Sequence, residues 1–126
     1  MLYPNRPEDQ YRRALRWLEE ANRISPKDGH VLLPLGMALY RLGRFKDAAV
    51  ILNSAFEINA ASSRFNPPAG DLVFLAMAQH RLGQREDARR TLAQARDPKF
   101  QPGSVSPHLW QEARALIEGE GDGPKK

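Results

Sequence analysis

Two segments of this 126-residue chain repeat one pattern of residues at an offset of 40 positions. The residues that share their identity across this offset are Arg41-Leu42-Gly43 with Arg81-Leu82-Gly83, Asp47-Ala48 with Asp87-Ala88, Leu52 with Leu92, and Ala55 with Ala95. A third segment continues the pattern 34 residues earlier, with Ala14, Leu18 and Ala21 preceding Ala48, Leu52 and Ala55. Such self-similarity is typical of repeat proteins, in which each unit buries its apolar face against its neighbours. The pattern therefore predicts a chain of stacked units.

Each unit has a helical period. Apolar residues recur at intervals of three and four between clusters of proline and glycine, and no useful stretch alternates with period two. Asp28 and Ser106 are suited to cap helix starts, whereas Gly43 and Gly83 lie where a helix must end in a left-handed residue. Pro34 conflicts with this pattern, because it removes a backbone bond from the second helix. We expect that helix to begin nearer Leu33 or to have a distorted first turn.

The composition excludes several classes of function. The chain has no cysteine, so disulfides, thiolate metal sites and thiol nucleophiles are excluded. The formal net charge of +4 is below what a dedicated nucleic-acid binder usually carries. No stretch approaches the ~20 apolar residues of a membrane span, and the first residues lack the pattern of a signal peptide. We therefore expect a cytoplasmic protein without a membrane partner.

No residue pattern indicates catalysis. His30, His80 and His108 lie far apart, without the spacing of a zinc site. No serine belongs to a nucleophile motif, and no glycine-rich loop has the spacing of a phosphate site. The sequence predicts a protein that is not an enzyme and that binds no cofactor and no metal.

The repeated residues resemble the tetratricopeptide repeat. The residues that carry the resemblance are Leu32, Leu35-Gly36, Leu39, Ala48, Leu52 and Ala55, followed by Leu72, Leu75-Ala76, Ala88, Leu92 and Ala95. The resemblance implies an all-α fold of about six helices, a short right-handed solenoid of helical hairpins in one domain, 1–126. Its expected parts are a lone second helix of a first repeat at 8–24, repeats at 29–58 and 69–96, a C-terminal capping helix at 107–118 and a flexible tail at 119–126.

The resemblance also implies a concave groove lined by the first helix of each hairpin. The positions of this sequence that fall in the groove are His30, Leu33, Met37, Tyr40, Arg41, Gly70, Val73, Met77, His80 and Arg81. Methionines form an adaptable apolar floor and arginines bind carboxylates. We therefore expect the groove to bind a protein or peptide with apolar and acidic residues. The alternative is that Met37 and Met77 fill the hairpin interior and that the arginines lie on the surface without a partner.

Two further functions stay open. The lone first helix has no preceding helix to cover it, so Tyr11, Leu15, Trp17 and Leu18 are candidates for self-association or for packing on another chain. Clusters of arginine at 12–16 and 85–90 are candidates for binding nucleic acid, and arginine outnumbers lysine fourteen to five. Acidic residues are interspersed among them, however, and no aromatic ladder for base stacking is present. We therefore regard nucleic acid as an unlikely partner.

Overall fold

The computed structural model describes residues 7–26, 28–62, 69–97 and 105–119. The elements in chain order are α1 (Pro7–Ile24), α2 (Gly29–Arg41), α3 (Phe45–Ser62), α4 (Gly70–Arg81), α5 (Arg85–Ala95) and α6 (Pro107–Arg114), and α6 continues into a π-helical turn, Ala115–Gly119. No strand occurs in these ranges. The prediction of an all-α fold with about six helices is confirmed.

Two helical hairpins form the centre of the molecule. The first consists of α2 and α3 and the second of α4 and α5, while α1 packs on α2 and α3 packs on α4. Each hairpin turns at a glycine with positive φ, +85° at Gly43 and +86° at Gly83. The amides of Arg44 and Gln84 then donate 2.9 Å bonds back to the carbonyls of Leu39 and Gln79. The predicted left-handed turns are present because glycine adopts this backbone without a side-chain clash.

Side chains cap two helix starts as predicted. Asp28 accepts a 2.9 Å bond from the amide of His30, and the hydroxyl of Ser106 accepts a 3.2 Å bond from the amide of Leu109. Of the two alternatives that Pro34 left open, a start nearer Leu33 is wrong, because Asp28 caps α2 and the helix begins at Gly29. Pro34 lies in the second turn of an otherwise continuous helix, where its missing N–H removes one internal bond.

Some boundaries differ from the sequence prediction. Helix α3 runs to Ser62, beyond the repeat end predicted at 58, because Asn59, Ala60 and Ala61 continue the helical bonding of the preceding turn. The π-helical turn carries the last helix to Gly119. The predicted flexible tail at 119–126 falls, from residue 120 onward, outside the residues that the structure describes.

Small residues bring the helices of each hairpin close together. Ala48, Ala55 and Ala88 are completely buried. A Cβ atom added to Gly36 in α2 would lie 2.5 Å from Cγ of Leu52 in α3. Side chains of this size therefore set the spacing between α2 and α3.

Helix α1 buries part of the face that the sequence predicts to be uncovered. Leu15 is only 8% exposed and Leu18 packs against the core, because α2 lies on this side of α1. The prediction that Leu15 and Leu18 are uncovered is therefore wrong. Of the four residues predicted for self-association, Trp17 is the one exposed large apolar side chain. Tyr11 is half-buried.

Candidate partner-binding face

Four of the predicted groove residues lie along one side of α2. His30, Leu33, Met37 and Arg41 follow one another at helical spacing, and we call them the α2 face. His30 and Arg41 are exposed, Met37 is 36% exposed and Leu33 is half-buried. The α2 face thus presents an apolar centre between two polar ends.

The corresponding residues of α4 are buried. Val73 and Met77 are inaccessible to solvent, and His80 belongs to the buried set. The reason is the central position of α4, which contacts α2, α3, α5, α6 and the π-helical turn, whereas α2 contacts α1, α3 and α4. These three side chains therefore form part of the core. A partner could reach them only by displacing a helix of the chain itself.

Gly70 and Arg81 mark the two ends of α4 beside the α2 face. A Cβ atom at Gly70 would lie 4.0 Å from Cδ2 of Leu33, so the start of α4 lies close to the centre of the α2 face. Arg81 is exposed at the other end of α4. Its Nε donates a 3.3 Å bond to the hydroxyl of Tyr40, and its guanidinium lies 5.8 Å from the ring centre of Phe45.

Tyr40 is a buried junction between the two hairpins. Its ring centre lies 5.3 Å from that of Phe45 and 5.8 Å from that of Phe74, the latter in an edge-to-face arrangement. Such pairs stabilise a core beyond the area that they bury. The aromatic ring of Tyr40 thus packs inside the molecule, and only its hydroxyl reaches towards Arg81.

An ion pair joins Arg41 of the α2 face to Glu112 of α6. Nη2 of Arg41 lies 2.9 Å from Oε1 of Glu112, and Nη1 bonds the other carboxylate oxygen. The guanidinium also lies 5.6 Å from the ring centre of Tyr40 and 5.4 Å from that of Phe74. These two rings and the carboxylate hold the planar cation in one orientation.

The ion pair shifts the titration of both partners. The hydrogen bonds from Arg41 lower the pKa of Glu112 below its usual 4.5, against the opposing effect of burial, and the charges of His108 and Arg81 act in the same direction. The carboxylate of Glu112 in turn raises the pKa of Arg41. The two charges therefore stabilise each other at this end of the α2 face.

A recess at the opposite end of α2 was not predicted from the sequence. Its volume is about 630 Å3, and its lining residues are Ser25, Pro26, Asp28, Gly29, His30, Ile58 and Asn59. A Cβ atom at Gly29 would lie 2.0 Å from Oδ1 of Asn59, so a larger residue there would displace the Asn59 side chain. The recess places polar groups beside His30. It could not be predicted from the sequence because its lining comes from two distant stretches of chain, one around the start of α2 and one near the end of α3.

Asp71 is a buried carboxyl group behind this recess. Nδ2 of Asn59 donates a 3.1 Å bond to its Oδ2, and within the described residues Oδ1 has no hydrogen-bond partner. Burial raises the pKa of Asp71, and the bond from Asn59 opposes that rise only partly. This pair links the end of α3 to the start of α4.

The part of the chain that the structure describes was also compared with the patterns of a metal site and of a membrane span. No group of three or more histidine, aspartate or glutamate side chains is placed to hold a metal ion. Several arginines pair with nearby acids, among them Arg44 with Asp47 at 2.8 Å and Arg90 with Asp87 at 3.5 Å. None of the helices in these ranges has the length and apolarity that a bilayer crossing requires.

Comparison with protein families gives two matches, both described as tetratricopeptide repeat. One covers residues 8–66 and the other residues 72–94. This chain belongs to the tetratricopeptide repeat family. The first match begins in the lone helix α1 and continues through the first hairpin, and the second covers most of the α4–α5 hairpin. A comparison with curated proteins finds no match.

Tetratricopeptide repeats generally mediate protein–protein interaction, and the family is a non-catalytic scaffold. Helix α6 lies outside both matched ranges. The carboxylate that binds Arg41 thus comes from a part of this tetratricopeptide repeat chain that the repeat pattern does not include.

Proposed function

We propose that the chain is a non-enzymatic interaction module and that its α2 face binds a peptide or helix from a partner protein. Leu33 and Met37 provide the accessible apolar centre of this face. Methionine is unbranched and polarizable, which suits it to partners of varied shape. The proposed contact surface is limited to the exposed part of α2 and to Arg81, since the matching α4 side chains are buried.

The ion pair between Arg41 and Glu112 is the observation that carries this proposal. It supports the idea that the basic end of the α2 face accepts a carboxylate presented by a helix. Arginine has five N–H donors, so Arg41 retains donors beyond the two that bond Glu112. Arg81 adds a second guanidinium nearby. The preferred partner segment therefore has apolar residues followed by an acidic one.

A capture experiment tests this proposal. The tagged chain and its Met37→Asp variant are used to retain proteins from a lysate of the source organism. The control is Val50→Asp, because Val50 is an exposed apolar residue of α3, 63% accessible and outside the α2 face. We expect Met37→Asp to lose a partner that both the unchanged chain and the control retain. Equal capture by all three proteins would refute the α2 face as the binding site.

A further inference from the structure

Within the described residues, the two most exposed large apolar side chains lie on α1. Trp17 is 78% exposed and Ile24 is 68% exposed. Ala14 and Ala21 lie on the same side of α1, at helical spacing, and are half-buried. We call these four residues the α1 patch. A recess of about 350 Å3 beside Trp17 is lined by Arg16, Glu20, Ala21 and Ile24. Exposed tryptophan in such a patch is a mark of an interaction surface.

The repeat pattern shows what kind of surface the α1 patch is. Ala14 and Ala21 occupy the positions of Ala48 and Ala55 in α3 and of Ala88 and Ala95 in α5. Those four alanines are buried, since α3 packs on α2 and α5 packs on α4. Trp17 likewise occupies the position of Ile51 in α3, which is half-buried, and of Thr91 in α5, which is buried. The α1 patch therefore has the form of a helix-packing surface, and no helix within the described ranges covers it.

We propose that the α1 patch binds the α1 patch of a second copy of this chain, with the two helices antiparallel. An interface with two-fold symmetry requires a surface that is complementary to itself. When the two helices cross near residue 19, Trp17 lies over Ala21 of the second copy and Ile24 lies over Ala14 of the second copy. Each large side chain thus meets a small one, and symmetry repeats both contacts.

The charges beside the patch are complementary in the same register. Arg16 and Glu20 lie one helical turn apart and line the same recess. Reversing the second helix places Arg16 of one copy beside Glu20 of the other. Glu20 already accepts a 3.2 Å bond from Nε of Arg23 in its own helix, yet its side chain is 57% exposed and open to a second cation.

Light scattering and sedimentation of the full chain over a range of concentrations test the association. We expect a dimer for the unchanged chain and a monomer for Trp17→Glu, which should still fold because Trp17 is exposed. The control Val50→Glu introduces the same charge at an exposed site of α3 and should stay dimeric. The proposal is overturned if the chain is monomeric at every concentration, in which case a helix of another protein becomes the candidate occupant of the α1 patch. A dimer that Trp17→Glu does not weaken also overturns it.

Cysteine cross-linking tests the register, and the chain offers no background because it has no cysteine. Variants Ala14→Cys and Ile24→Cys are oxidised singly and as a mixture. The proposed register brings these two positions together between copies, but it separates each from its own equivalent by about 15 Å along the helix axis. That distance is beyond disulfide reach. We expect cross-linking in the mixture alone, and cross-linking of Ala14→Cys by itself would contradict the antiparallel arrangement.

A charge exchange gives an independent measure. Arg16→Glu alone places two glutamates together and should weaken the dimer about two- to five-fold for each contact. The double change Arg16→Glu with Glu20→Arg should restore it. If the double variant associates no better than the single one, then Arg16 does not meet Glu20 across the interface. Met37→Asp leaves the α1 patch intact and should not affect association, which separates this proposal from the one for the α2 face.

Discussion

Arg41 and Glu112 bond each other across 71 residues of chain, with the guanidinium at the end of α2 donating to both carboxylate oxygens in α6. This contact fixes α6 beside the only hairpin helix with an accessible groove face in the described part of the molecule. The stability of the fold should therefore depend on both members of the pair.

Removing the charge of Glu112 should destabilise the fold modestly. We expect Glu112→Gln to lower the free energy of unfolding by about 0.5–1 kcal/mol, a value typical of ion pairs that solvent partly screens. A double-mutant cycle with Arg41→Gln, measured by urea unfolding, isolates the pairwise contribution. The exposed Glu86→Gln serves as control. A coupling energy of zero would mean that the contact does not hold α6 in place.

The same ion pair predicts a pH dependence. Because the pKa of Glu112 is lower in the folded chain than its usual 4.5, the stabilisation is complete above that pH and is lost as the pH falls through the folded-state pKa. We expect the stability of the unchanged chain to decrease towards acid more steeply than that of Glu112→Gln. Parallel curves for the two proteins below pH 4.5 would contradict this assignment.

Asp71 predicts a pH dependence of the opposite sign. Its pKa is raised above 3.8 by burial, so its contribution is complete below 3.8 and is lost as the pH rises through the folded-state pKa. At neutral pH the buried carboxylate costs stability, since Oδ1 finds no donor within the described residues. We expect Asp71→Asn to raise the free energy of unfolding at pH 7 by about 1 kcal/mol, as measured by urea unfolding between acid and neutral pH. A loss of stability at pH 7 would show that the charge itself is needed.

The helices and their turns could be predicted from the sequence because their causes are local. The spacing of apolar residues sets the helical period, and the backbone at Gly43 and Gly83 needs glycine. Both features act within a few residues. Pro34 does not move the start of α2 towards Leu33, since the local cap at Asp28 outweighs the single bond that Pro34 removes.

The surface of the fold could not be predicted in the same way, because it depends on which helices meet. Met37 and Met77 occupy equivalent positions, yet one is exposed and the other is buried by the helices around α4. Leu15 and Trp17 belong to one amphipathic helix, and the side on which α2 packs decides which of them is covered. The partner-binding roles of the α2 residues stay predictions.

Gly36 offers a direct test of the close approach between α2 and α3. An added Cβ atom would lie 2.5 Å from Cγ and 2.6 Å from Cδ2 of Leu52, which is fully buried. We expect Gly36→Ala to lower the free energy of unfolding by about 1–3 kcal/mol through overpacking, although alanine favours a helix interior by about 1 kcal/mol over glycine. Gly70→Ala is the matched control, because its Cβ atom would have ordinary contact with Leu33 alone. Thermal or urea unfolding that ranks the two variants equally would contradict the steric argument.

Tyr40 separates a structural role from a binding role. Tyr40→Phe removes only the bond between its hydroxyl and Nε of Arg81, so we expect a cost of about 0.5–1.5 kcal/mol in the free energy of unfolding. Tyr40→Ala also removes the ring contacts with Phe45 and Phe74 and should cost about 3–5 kcal/mol. Urea unfolding followed by circular dichroism measures both values. If the alanine variant proved as stable as the phenylalanine variant, then the ring would not be part of the core, and Tyr40 would return to the set of side chains available to a partner.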